Sequence, residues 1–309
     1  MQVVKLERVL RGVLLAGAPF ALPACVLGQS SCPDNGHEPP IVTSKKVEAD
    51  FAEGGPLTAT QCQQVCTDGD GVVTCVRESA ESVLCLNAPY PCEGRRPAGL
   101  KAAEPRPQDV FARHLADAAW LEAASITAFR QLRCELRRHG APRRLLRAAS
   151  RSARDERRHA RASKALARRF GVSVASVSHQ RLGSRALLDI ALENSVEGCV
   201  RETWGALIAL RQAERATDPS VRSTMMRIAP DEARHAELAW SVHRWLTPRL
   251  SPQERERVRG ARDAALAELR RDAAHALPRE ECLRLGLPGA EESAALLEAF
   301  TLALASESR

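Results

Sequence analysis

One short pattern occurs twice in this chain and limits what it can fold into. Asp155-Glu156-Arg157-Arg158-His159-Ala160 returns 76 residues later as Asp231-Glu232-Ala233-Arg234-His235-Ala236. In each copy a Glu stands three residues before a His. On a helix that spacing sets both side chains on one face about one turn apart, so a carboxylate oxygen and an imidazole nitrogen can reach the same ion. A single such pair on an arginine-rich helix is ordinarily an exposed ion pair. The doubling says more, because a further Glu sits upstream of each copy at nearly the same distance: Glu122 is 34 residues before Glu156, and Glu197 is 35 before Glu232.

The surrounding periodicity turns these groups inward. Leu115, Ala118, Glu122, Ile126, Phe129, Leu132 and Leu136 fall on one helical stripe, as do Val221, Met225, Ile228, Glu232, His235, Ala239, Val242 and Leu246. Four buried carboxylates without compensation are very costly and would be forced to share protons. Two divalent cations balance the four Glu charges, and two neutral imidazoles complete the set. Two helices giving one Glu each and two giving Glu-x-x-His is the ligand set of di-iron and di-manganese carboxylate bundles. Over residues 108–246 the chain therefore resembles the ferritin-like superfamily.

That resemblance implies an all-α fold, a ferritin-like four-helix bundle with a long crossover. It implies Glu122, Glu156, His159, Glu197, Glu232 and His235 as metal ligands, and two iron ions as cofactor with manganese as the alternative. On the third helix Glu193 lies one turn before Glu197 on the same face and is its alternative, and Glu202 lies nearby; the 35-residue spacing favours Glu197. Asp155 and Asp231, each just before a ligand Glu, are candidate acceptors for imidazole N–H groups. His114, His139, His179, His243 and His275 match no repeat. Pro230, two residues before Glu232, should kink its helix beside the site.

Helix boundaries support the same arrangement. Aromatic residues make up 4% of the chain, and Ala, Leu, Arg and Glu dominate after residue 108, which favours long helices. The expected helices run over 108–139, 142–170, 184–215 and 220–246, followed by one from the Ser251-Pro252-Gln253-Glu254 cap to about residue 276 and a last one over 290–304. The first two and the last two of the four are joined by short turns. Residues 171–183 can span about 43 Å when extended, enough to cross a bundle of that length. Short, long, short is ferritin-like connectivity.

Residues 1–24 read as a secretory signal, with Lys5, Arg8 and Arg11 before a short apolar run. Leu22-Pro23-Ala24-Cys25 looks like a bacterial lipobox, which implies lipidation at Cys25 and a membrane-anchored protein of the cell envelope. The alternative is ordinary cleavage to a soluble periplasmic or secreted protein. Residues 25–107 form a small irregular domain and linker holding Cys32, Cys62, Cys66, Cys75, Cys85 and Cys92, which behind an export signal imply three disulfides. Asp68-Gly69-Asp70-Gly71 lacks the closing Glu of a calcium loop and reads as a turn. Residues 247–309 form a helical extension.

Function narrows by elimination. No rubredoxin-type cysteine motif supplies an electron donor. The sole tyrosine, Tyr90, lies in the cysteine-rich segment, away from the expected metals. Trp120 and Trp204 read as packing residues. The formal charge of +7 sits largely on arginines interleaved with Ala and Leu, a solvated helix face that could also meet an anionic lipid surface. No nucleic-acid motif is present. The expected partners are the membrane, through the lipid anchor, an external electron donor, and a second copy in a homodimer. What the resemblance implies is a di-metal protein that reacts with peroxide or dioxygen or oxidises ferrous iron, an oxidoreductase of peroxidase or ferroxidase type. The alternative is a non-catalytic, envelope-associated metal-binding or structural bundle. Cys134 and Cys199 lie too far apart along their helices to pair, which makes Cys199 a reduced packing residue.

Overall fold

A computed structural model describes residues 12–13, 43–46, 72–77, 82–87, 94–101, 107, 109–179, 183, 185–273 and 277–307. The chain divides into two compact units, residues 18–88 and the remainder.

The smaller unit holds a three-stranded antiparallel sheet of β1 (Thr43–Lys46), β2 (Val72–Arg77) and β3 (Ser82–Asn87), with β3 in the centre. This corrects the expectation of irregular structure. Val72-Val73-Thr74-Cys75-Val76 and Val83-Leu84-Cys85-Leu86 are short runs of strand-forming residues, and they outweigh the turn-rich flanks. The register makes Cys75 and Cys85 backbone partners across β2 and β3. Cys25, Cys32, Cys62, Cys66, Cys92 and Tyr90 lie outside the described residues, as does the expected leader except for Gly12 and Val13. Those two are helical, and Val13 is buried in the apolar cluster that contains Trp204 and Phe300.

The larger unit is helical. Helix α1 (Val110–Arg138) opens at Asp109, whose carboxylate accepts from the Ala112 amide at 2.8 Å. It closes on Gly140, at φ 72°, with the Ala141 amide returning to the Leu136 carbonyl at 2.8 Å. Helix α2 (Arg143–Arg169) follows after this short turn and packs along α1. The described residues that follow, 170–179, 183 and 185–186, are not helical. Val174, Ala175 and Val177 cover Trp120 and Leu121 of α1, and the Lys101 amide bonds to the Ser178 carbonyl at 3.0 Å.

The third long span is not a uniform helix. It runs as α3 (Leu187–Glu193), a π-helical stretch over Asn194–Glu202, and α4 (Thr203–Arg215). Helix α5 (Pro219–Leu246) opens on Asp218, which accepts from the amides of Ser220 and Val221. Helix α5 packs against α4, the π stretch and α2. It runs as one helix through Pro230. A 3-10 turn (Thr247–Arg249) leads to α6 (Pro252–Ala273), which has the expected reciprocal Ser251 and Glu254 cap. The short α7 (Arg279–Leu285) was not anticipated, and α8 (Ala290–Glu307) packs on α6, burying Leu296, Leu297, Phe300 and Leu304. No described helix is long and apolar enough to cross a membrane.

Candidate metal centre

The two repeats meet where α2 and α5 pack together. Glu156 and His159 of α2 and Glu232 and His235 of α5 are all buried, and one ligand atom from each lies within 4.8 Å of the others. This is a cluster able to hold a metal ion. His159 Nδ1 is 3.0 Å from Glu232 Oε1 and 3.8 Å from Glu156 Oε2, so each imidazole faces the carboxylate of both copies. His235 Nδ1 is 3.1 Å from Glu156 Oε1 and 3.4 Å from Glu232 Oε1. Glu122 of α1 joins from the side, with Oε2 at 3.5 Å from His159 Nδ1. Phe129, one ring centroid 5.0 Å from that of His235, adds an apolar wall.

The inner atoms lack hydrogen-bond partners. Glu122 Oε2, both Glu156 oxygens, Glu232 Oε1 and both Nδ1 atoms are buried and unbonded within the protein. Leaving that many buried polar atoms unsatisfied is expensive unless something outside the chain binds them. Protons supply part of the compensation in the bare protein. Burial lowers the His159 pKa, but Asp231, Glu122 and Glu232 overcome this and carry it up to about 12. Burial and the neighbouring Glu122 charge push Glu156 well above its ordinary value. A cation that binds here displaces the protons held at these atoms.

The outward-facing imidazole nitrogens meet the two aspartates, and the pairing crosses between the copies. His159 Nε2 is 3.1 Å from Asp231 Oδ2, and His235 Nε2 is 3.6 Å from Asp155 Oδ2. Arg158 then donates to Asp155 at 2.6 Å and to Asp231 at 2.9 Å, while Arg234 pairs with Asp231 and approaches Asp155 at 3.6 Å. Four of the five fixed positions of the repeat, Asp, Glu, Arg and His, therefore belong to the site. The arginines escaped the sequence reading although the repeat itself contains them. A carboxylate behind an imidazole fixes its orientation and leaves Nδ1 free to bind a cation. Asp155→Asn and Asp231→Asn are expected to weaken metal binding by about 10- to 100-fold without abolishing it. Equilibrium dialysis against buffered metal checks this, and unchanged affinity in both would remove the aspartates from the site.

The third span departs from expectation. Glu197 is not brought to the cluster: its Oε2 accepts from the Arg96 amide at 3.2 Å, and its Oε1 lies 3.7 Å from Arg201. Glu193 is also turned away, held by Arg95 and Arg185. Glu202 is the third-span glutamate whose charge is felt at the cluster. It is buried, neither carboxylate oxygen has a hydrogen bond, and it interacts electrostatically with His235 and Glu232. Burial, against the pull of Arg95 and His235, raises its pKa to about 7. The π stretch explains the shift. A π turn takes up one residue more than an α turn and rotates everything after it by about 100° around the axis, so spacing counted in α-helical register picks the wrong Glu.

Arg95 is the other residue that sequence reasoning missed, since it lies in what reads as a linker. Its guanidinium is wholly buried, 3.2 Å from Glu193 Oε1, 3.3 Å from Asn194 Oδ1 and 3.9 Å from Glu202 Oε2. Cys199, predicted to be a reduced packing residue, is buried and unpaired, and burial pushes its thiol up to about 12. Cys134 and Cys282 are also free.

No protein-family model, curated protein or solved structure matches the chain. The functional reading rests on the site.

Proposed function

We propose that the chain is a ferritin-like four-helix protein that holds two metal ions, iron with manganese as the alternative, and that these react with peroxide or dioxygen or oxidise ferrous iron. The observation that carries this reading is the convergence of unbonded, buried oxygens and imidazole nitrogens from both repeats, with Glu122 beside His159. The ligand set proposed is Glu122, Glu156, His159, Glu202, Glu232 and His235, with Glu202 taking the place expected of Glu197. Four carboxylates and two neutral imidazoles suit two divalent cations in charge and in donor type. Bound iron would supply the redox couple.

The residues of the chain supply the rest. Asp155 and Asp231 orient the imidazoles, and Arg158 and Arg234 hold those aspartates. The apolar wall at Phe129 and the burial of the ligands keep bulk water out, which strengthens every charge interaction inside. Metal analysis of the native protein, followed by oxygen and peroxide consumption after adding ferrous iron, tests the proposal. Two metals per chain and oxidant consumption are expected. Two metals with neither oxidant consumed would instead favour a metal-holding protein without turnover.

Export belongs to the same reading. With Cys25 lipidated, Cys25→Ser is expected to move the protein from the membrane fraction to a soluble or unprocessed form. Unchanged fractionation would favour ordinary cleavage.

A further inference from the structure

A second site borders the metal centre. Between α2 and α5 is a cleft of about 400 Å³, lined on the α2 side by Arg144, Arg147 and Arg151 and on the α5 side by Arg234. The three α2 arginines follow the i, i+3, i+7 spacing that stacks side chains along one helix face, over about 10 Å of axis. All three are exposed, and none forms an ion pair with a described residue. Arg234 is half-buried and reaches the cleft from its pairing with Asp231 and Asp155.

The metal centre explains why this face is so one-sided. The only acidic residues of α2 are Asp155 and Glu156, and both are buried toward the metal cluster, so the outer face of the helix keeps its basic residues and no exposed carboxylate. Two acids do line the cleft. Asp155 is already neutralised by Arg158 and Arg234, and Glu237 stands on the α5 wall. Four guanidiniums against these two carboxylates leave a net positive concavity, and guanidinium forks match the oxygens of a tetrahedral oxyanion.

We propose that this cleft binds a phosphate-class oxyanion, either a free phosphate compound or the phosphate of a lipid headgroup. The bound anion meets arginines and not metal-binding atoms, so the site stands independently of what the metals do. Asp155 and Arg234 both line it, so the cleft borders the groups that orient His235.

The test uses the full chain, with and without metal. Inorganic phosphate is titrated calorimetrically, and co-sedimentation is measured with phosphatidylcholine vesicles with or without phosphatidylglycerol. Arg147→Gln/Arg151→Gln removes two cleft charges. Arg168→Gln/Arg169→Gln removes two exposed charges from the far end of the same helix, and circular dichroism confirms that both variants fold. The expected result is saturable binding that falls at least tenfold in the first variant and little in the second. Binding of inorganic phosphate identifies a free anion as ligand, and binding only to phosphatidylglycerol vesicles identifies the headgroup. Equal loss in both variants would reduce the cleft to a solvated basic face, and no binding of either probe would overturn the proposal.

Discussion

Alanine in place of His159 or His235 is expected to lower bound metal from two ions per chain to one or none, whereas His179→Ala leaves metal content unchanged. His159 and His235 each point Nδ1 at the carboxylates of both repeats, at distances between 3.0 and 3.8 Å. His179 is exposed on the crossover and touches none of them. Removing one imidazole leaves a donor gap in a buried site and also strands the aspartate behind it, so the effect exceeds that of the aspartate variants. The same measurement separates the two third-span glutamates. Glu202→Ala should reduce metal content and Glu197→Ala should not, because Glu202 is unbonded and interacts electrostatically with His235 and Glu232, whereas Glu197 is held by the Arg96 amide. Retention of two metals in both histidine variants would sink the centre, and the opposite glutamate result would restore the α-helical register for that span.

The difference between Glu197 and Glu202 shows where the sequence stops being legible. The repeats on α2 and α5 sit in regular helix, where spacing translates directly into a shared face, and so Glu156, His159, Glu232 and His235 could be read from residue numbers alone. Glu122 could be read for the same reason, from its place in the α1 stripe. The third span fails because its π stretch changes the phase within the motif, and no residue type announces a π turn in advance. The helix start at Ser251 was legible because caps act through local chemistry. The sheet was misjudged because its strands are short, and their Gly, Pro and Asp flanks dominated the composition. Arg95 was out of reach for another reason: a buried cation far from its partners in sequence leaves no periodic trace.

Replacing Arg95 with Met is expected to destabilise the metal-free protein by about 3–5 kcal/mol, the range for breaking a buried ion pair by removing one partner. The guanidinium is completely buried between Glu193, Asn194 and Glu202. The fit around it is close. A Cβ on Gly198 would stand 3.0 Å from Arg95 Nη1 and 2.7 Å from the Ala239 Cβ. Gly94, at φ 84°, turns the chain so that the Arg95 amide donates to Ser125 Oγ while the Ser125 hydroxyl donates back to the Arg95 carbonyl at 3.1 Å. Met fills similar volume but leaves Glu202 without its cation and Glu193 with Arg185 alone. Lys keeps the charge and loses the fork that reaches Glu193 and Asn194 together, so Arg95→Lys should fall between wild type and Arg95→Met. Urea unfolding midpoints measure each variant. A Glu202→Gln background decides the cause: if Arg95 acts by compensating that carboxylate, Arg95→Met costs clearly less there than in the wild-type chain. An equal cost in both backgrounds would confine the role of Arg95 to Glu193 and the π stretch, and would leave Glu202 to depend on metal alone.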